Sequence, residues 1–338
     1  MSGRDAVENT RFVDALGQLR AAGWALCMVK PADEPAVALL RRDGLTLRVE
    51  RDDVGLGALS APGFEPTRGF ELTRPAETGW GTGRAGMEYR DLLPSRRGGQ
   101  VIASHIRIPE AGPVADDVHY HLISFQLIYC IAGWVRLVYE GQGDEFVLAA
   151  GDCVLQPPEI RHRVLEASAG LEVLEVSAPA VHETWFDHEL ALPTPVQERT
   201  WAGQRFVHHR AASASWTRRW ADGFEARDTG LADASGGLVD VRIVRAAAGA
   251  AAEGLVHEAD LRLWFVLAGG ATVRGDELPI EPLEPGTAVA VPAGTVHAIE
   301  VGSHGFELVE VTVPRSSNAA NLQSSSSSRA SDFGATLR

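Results

Sequence analysis

Three segments of this 338-residue chain occur twice, in the same order and at matching spacings. "GMEYRDLL" from Gly86 is answered by "GFEARDTG" from Gly223, "GDCVLQPPEIRH" from Gly151 by "GTAVAVPAGTVH" from Gly286, and "LEVLEVSAP" from Leu171 by "FELVEVTVP" from Phe306. Gly151 and His162 are 11 positions apart, as are Gly286 and His297; Gly151 and Pro179 are 28 apart, as are Gly286 and Pro314. Chance likeness between short strands does not hold register over that distance, so the chain carries two copies of one domain. Its 35 glycines and 18 prolines punctuate short apolar runs, a pattern of many strands rather than long helices. The copies span residues 86–190 and 223–314, an ordinary domain size.

Outside the repeat, residues 1–60 read as a small α+β segment. Val7, Phe12, Leu16 and Leu19 recur at roughly helical intervals before Gly23, and two strand-like runs follow, the second turning at Asp43-Gly44. Residues 61–85 read as a linker, 191–222 as a connector, and 315–338, with a run of five serines, as a disordered tail. A net charge of −14 argues against a nucleic-acid or anionic-membrane surface. Cys27, Cys130 and Cys153 are an odd set without paired spacing, as expected of free thiols in a reducing compartment. With no leader-like N-terminus and no run of 18 apolar residues, the expected location is the cytoplasm. The expected partner is a small-molecule substrate, with a homodimer through the second copy left open.

The first copy holds a cluster of metal-binding residue types. His119 and His121 project from one face of a strand. Gln126 joins that face only if a turn or bulge intervenes around Leu122 to Ser124. His162 follows the turn set by Pro157 and Pro158. Three imidazoles and one amide suit a divalent transition metal with open positions for substrate. In the second copy the register maps His119 to Leu255, His121 to His257, Gln126 to Arg262 and His162 to His297. A cation thus replaces the amide, and the second site is degenerate. Cys130 reads as a small buried hydrophobe. Glu172, Glu175, Glu307 and Glu310 read as acids on exposed strand faces rather than groups orienting a histidine. No residue receives a catalytic role.

Gly112-x6-His119-x-His121-x4-Gln126-x6-Gly133 resembles the first cupin motif, and Gly151-x5-Pro157-x-Glu159-x2-His162 the second. The chain departs from the pattern at Gln126, where most cupin enzymes carry Glu, and at Glu159, where Gly is usual. The resemblance implies a bicupin of the quercetinase-like kind: a mainly β fold of tandem double-stranded β-helix (jelly-roll) barrels with a small α+β N-terminal extension. It implies one divalent ion per chain held by His119, His121, Gln126 and His162, with Fe2+ first and Ni2+, Mn2+, Zn2+ or Cu2+ as alternatives. The expected function is a metal-dependent oxygenase or dioxygenase acting on a small anionic or chelating organic substrate. A non-redox isomerase, lyase or ring-opening enzyme and a non-catalytic ligand-binding or sensory bicupin are the other readings, and fold does not choose among them.

Deleting the residues after Pro314 should leave melting temperature and metal content unchanged, because the tail has little apolar surface to offset the entropy of ordering. Differential scanning calorimetry and elemental analysis of the truncated and full chains check this.

Overall fold

The computed structural model describes residues 3–31, 35–51, 69–83, 86–216, 218–302 and 304–315. The expected tail lies outside them from residue 316, as do residues 61–68, 84 and 85 of the expected linker. The described chain forms two antiparallel β-barrels with an α/β extension, as the repeat requires.

Each barrel is two sheets. In the first, a seven-stranded sheet runs in the order Val207–His209, Cys153–Gln156, Phe125–Ala132, Leu171–Ala178, Ile102–Ile108, Glu88–Asp91 and Gly81–Thr82. Opposite it lie Phe146–Ala149, Trp134–Tyr139, His162–Ala167, His119–His121 and Thr184–Phe186. The second barrel pairs a seven-stranded sheet, centred on Phe306–Val313 and Leu261–Ala268, with a four-stranded one that includes His297–Val301.

Alternation along Phe125–Ala132 divides labour between its two faces. Phe125, Leu127 and Tyr129 belong to a core shared with Val241, Ile243, Leu263, Phe265, Val309 and Val311 of the second barrel. The two seven-stranded sheets therefore pack face to face. Gln126 and Ile128 face the interior of the first barrel instead, where they line its cavity. Both faces are buried, which is why these strands read as continuous apolar runs.

The linker and connector are not passive. Glu71–Thr73, within the segment expected as linker, pairs with Ala288–Ala290 of the second barrel. Val207–His209, in the connector, pairs with Cys153–Gln156 of the first. The segment ahead of each barrel thus adds an edge strand to the other. A second reciprocal contact uses repeat-equivalent residues. Arg90 Nη2 donates to the Gly286 carbonyl (2.8 Å), and Arg227 Nη2 donates to the Gly151 carbonyl (3.4 Å). Gly133 and Gly269, repeat equivalents, both take positive φ, and a Cβ on Gly269 would lie 2.7 Å from Phe306 Cα.

The N-terminal extension is a helix, Gly3–Ala21, followed by strands Ala25–Lys30, Val37–Arg42 and Leu45–Glu50. Phe12 and Leu16 are buried against Leu26, Val29, Ala38 and Leu40, and Leu19 packs on that cluster; the side chain of Val7 lies outside the described residues. Asp43 (φ 50°) and Gly44 (φ 78°) make the two-residue hairpin turn. The extension is not a separate layer: Ala25–Lys30 pairs with Thr184–Phe186 and continues the first barrel's sheet. No helix among the described residues is long and apolar enough to cross a membrane. The three cysteines are free.

Arg90 is 2% exposed and also donates to His105 Nδ1 (2.9 Å). Since a guanidinium only donates, His105 accepts at Nδ1 and carries its proton on Nε2, which donates to Glu172 Oε2 (2.8 Å). Burial first, then the Arg90 charge, lowers the His105 pKa to about 4. In the unfolded chain this ring titrates near 6.5. Between those values the unfolded state binds more protons, so stability falls as the pH drops from about 6.5 towards 4. Urea denaturation at pH 7 and 4.5 should show a loss larger in wild type than in His105→Gln, by on the order of 2 kcal/mol.

Candidate metal centre

His119, His121 and His162 are buried, and one nitrogen of each lies within 4.8 Å of those of the other two. Strand pairing puts them there: His119 pairs across the sheet with His162, and the His119–His121 strand sits between His162–Ala167 and Thr184–Phe186. Leu122 to Ser124 leave the strand before Phe125 begins the next, which supplies the expected break.

Each ring is held by its Nδ1. His119 Nδ1 donates to the Asp117 carbonyl (2.8 Å), His162 Nδ1 to the Ile160 carbonyl (3.0 Å), and His121 Nδ1 bonds the Thr184 hydroxyl oxygen at 2.8 Å. A carbonyl only accepts, so at His119 and His162 the proton is on Nδ1 and the lone pair on Nε2; the Thr184 hydroxyl, which both donates and accepts, is compatible with the same form at His121. That tautomer is the one a metal requires, and buried imidazoles converging through one nitrogen each form a donor set that fits a divalent transition ion. Behind His119 stands Asp116, buried, with Oδ1 3.5 Å from Nδ1 and Oδ2 accepting from the Val164 N–H. The donor set expected from sequence contains no carboxylate; Asp116 supplies negative charge from behind a ligand instead.

Gln126 lines the same cavity as the three histidines. Its Oε1 accepts from Gln156 Nε2 (2.6 Å), and Gln156 Oε1 accepts from the Tyr139 hydroxyl (3.0 Å). Tyr139 is fully buried and stacks on His162 at a centroid distance of 5.3 Å. The Tyr139 hydroxyl, acting through the Gln156 amide, thus orients Gln126. Away from the histidines the wall is mostly aliphatic, with Ile106, Ile128, Val135, Leu137, Val164 and Leu171 among its residues. His182, 5.6 Å from His121 between ring centroids, also lines it, and so does Glu175.

The four acids read as exposed divide differently. Glu175 lines the cavity, and Glu310 is 1% exposed inside the second barrel. Glu172 and Glu307 are half-buried, and burial pushes Glu307 up in pKa. Cys130 packs in the barrel core, where burial pushes its thiol up to about 12. Glu159 sits at φ 59°, the conformation that its repeat equivalent Gly294 adopts at φ 75°. The turn therefore keeps the geometry a glycine would have, at a cost of about 1 kcal/mol, while its N–H donates to the His121 carbonyl (3.2 Å).

In the second barrel the equivalent positions are differently engaged. His257 Nε2 donates to the Val291 carbonyl (3.0 Å), and its Nδ1 accepts from the Ala259 N–H (3.2 Å), so both nitrogens are occupied. His297 Nδ1 is anchored on the Thr295 carbonyl, as His162 is on Ile160. Burial lowers the pKa of both rings. Arg262 Nε lies 3.3 Å from Glu310 Oε2, and Glu310 also accepts from the indoles of Trp220 (3.1 Å) and Trp264 (2.9 Å). An internal ion pair capped by two indoles occupies the interior whose counterpart in the first barrel is a cavity.

No family model matches the sequence, and no curated protein sequence matches it. Solved structures do. Oxalate decarboxylase from Bacillus subtilis at pH 4.6 aligns with a TM-score of 0.53 and 14% identity over 75% of this chain and 78% of that one. A second structure of that enzyme, reported with its Mn(II) centres, aligns with a TM-score of 0.53 and 13% identity over 73% and 78%. Protein Ylba from E. coli gives 0.51 and 14% over 72% and 90%. The chain has the bicupin fold. At this identity the likeness is one of fold, and the chain's chemistry rests on its own residues.

Asp116, Tyr139, Gln156, His182 and Thr184 were not singled out from sequence. The acid pair Asp116-Asp117, separated from the first histidine by Val118, is the one local signal.

Gln126→Glu should raise metal affinity tenfold or more. A carboxylate preserves the contact with Gln156, and a unit charge about 4 Å from the ion is worth roughly 4 kcal/mol at an effective dielectric of 20. Gln126→Leu should weaken binding and leave the barrel folded. Titrating Ni(II) into the apo forms, with elemental analysis expected to give one ion per chain, is the check; equal affinities would place Gln126 outside the coordination sphere.

Proposed function

We propose that this bicupin is a metal-dependent oxygenase acting on a small organic molecule with an apolar body and an anionic or chelating oxygen head. The observation that carries the reading is the set of three Nδ1-anchored histidines converging within a largely aliphatic cavity. His119, His121 and His162 would hold a divalent ion there, which would supply a Lewis acid toward an anionic or chelating oxygen and, as Fe(II), redox chemistry with dioxygen. The aliphatic wall excludes water and accommodates an apolar body. Glu175 and His182, both in the wall, are the side chains available to hold or move a proton at a carboxylate oxygen and a ring nitrogen.

A non-redox lyase is the second reading. It is favoured by the fold's likeness to oxalate decarboxylase, whose Mn(II) centres are named with that structure. Against a substrate as small and polar as oxalate stands the aliphatic wall.

Anaerobic reconstitution with Fe(II) or Mn(II), followed by a screen of enolates, catechols and diketones, tests both. Substrate-dependent oxygen uptake by the Fe(II) form, lost in His121→Ala, is the expected result. Turnover with Mn(II) without oxygen consumption would replace the oxygenase by the lyase.

A further inference from the structure

The N-terminal extension lies outside the repeat, yet it grips the one strand that links it to the histidines. Thr184–Phe186 runs between His119–His121 and Ala25–Lys30; Thr184 pairs with His121 on one side and with Val29 on the other. Thr184 is fully buried, and its hydroxyl oxygen is the partner of His121 Nδ1. Two residues further on, Phe186 packs on the extension's apolar core, while its ring centroid is 5.9 Å from that of His119. The flanks are pinned as well. Lys30 Nζ meets Glu183 Oε1 at 3.4 Å, and His188 Nε2 donates to the Leu26 carbonyl at 2.6 Å. A last link reaches the other ligand: Arg20, in the helix's final turn, donates to Asp117 (2.6 Å), whose carbonyl holds His119.

We propose that the N-terminal extension is a positioning part of the metal centre, acting through Thr184 on His121 and through Phe186 on His119. Left as an outer edge, a three-residue strand with one face on the ligands would fray. Paired with Ala25–Lys30 and seated on Phe12, Leu16 and Leu40, it holds the Thr184 hydroxyl where it fixes the orientation of the His121 ring. The sheet and the apolar core do most of this; the exposed Arg20–Asp117 pair contributes little. The proposal rests on the metal reading above.

The test measures Co(II) affinity by chelator competition, together with the visible ligand-field spectrum, in the full chain. Thr184→Val should lower affinity by about 10- to 100-fold and shift the spectrum, and Thr184→Ser should restore both. Leu40→Ala, in the extension's core, should also weaken binding. Leu308→Ala, an equally buried leucine in the second barrel's core, should lower the melting temperature comparably and leave affinity unchanged. Wild-type affinity and spectrum in Thr184→Val, or equal affinities in the two leucine variants, would overturn the proposal. Wild-type protein that takes up no ion would overturn the metal centre itself, and this proposal with it.

Discussion

Everything in this pair of barrels turns on strands buried on both faces. In Phe125–Ala132, Phe125, Leu127 and Tyr129 belong to the contact between barrels, Gln126, Ile128 and Cys130 to the interior of the first one, and no residue of the strand is exposed. The inter-barrel layer holds the sheet still from behind, so the side chains in front can be set to hydrogen-bond tolerance. Gln126, between Phe125 and Leu127, is placed by its neighbours' burial as much as by its own bonds to Gln156.

The two barrels solve the problem of a charged interior in opposite ways. The first keeps a cavity and anchors three rings by Nδ1, a form that suits an external cation. The second carries its cation covalently. Arg262 stands at the position of Gln126, Glu310 at that of Glu175, and two indoles close on the carboxylate. Where that guanidinium sits, His257 has turned both its nitrogens to the backbone. The duplication thus separates a barrel whose three histidines face a cavity from one whose equivalent positions are tied up in an ion pair and backbone bonds.

What the sequence disclosed was what spacing can carry. Register between the copies was enough to identify equivalent histidines and to mark Arg262 as a replacement, because those relations are local or periodic. Glu175 and Glu310 were misread because "LEVLEVSA" and "FELVEVTV" are apolar on both faces, and alternation alone does not say which face turns inward. Thr184 matters through its pairing across the sheet with His121, which no short-range pattern records, whereas Asp116 lies three residues before His119 and is within reach of a local pattern. Glu71–Thr73 is three residues long, too short for any periodicity to lift it out of a stretch that composition marks as linker.

The exchanged edge strands have a consequence for how the chain comes into being. Leu72 waits for Val289, more than two hundred residues downstream, before its backbone partner exists. The first barrel can assemble most of its sheets as it is synthesised, yet it receives Val207–His209 only with the connector, and its opposing layer only with the second barrel. Contacts of such sequence separation form late and slowly, since loop closure precedes the contacts that reward it. The nascent first half therefore exposes a broad apolar sheet face until its twin arrives. The duplication that stabilises the finished molecule makes its unfinished half a surface for chaperones or for misassembly.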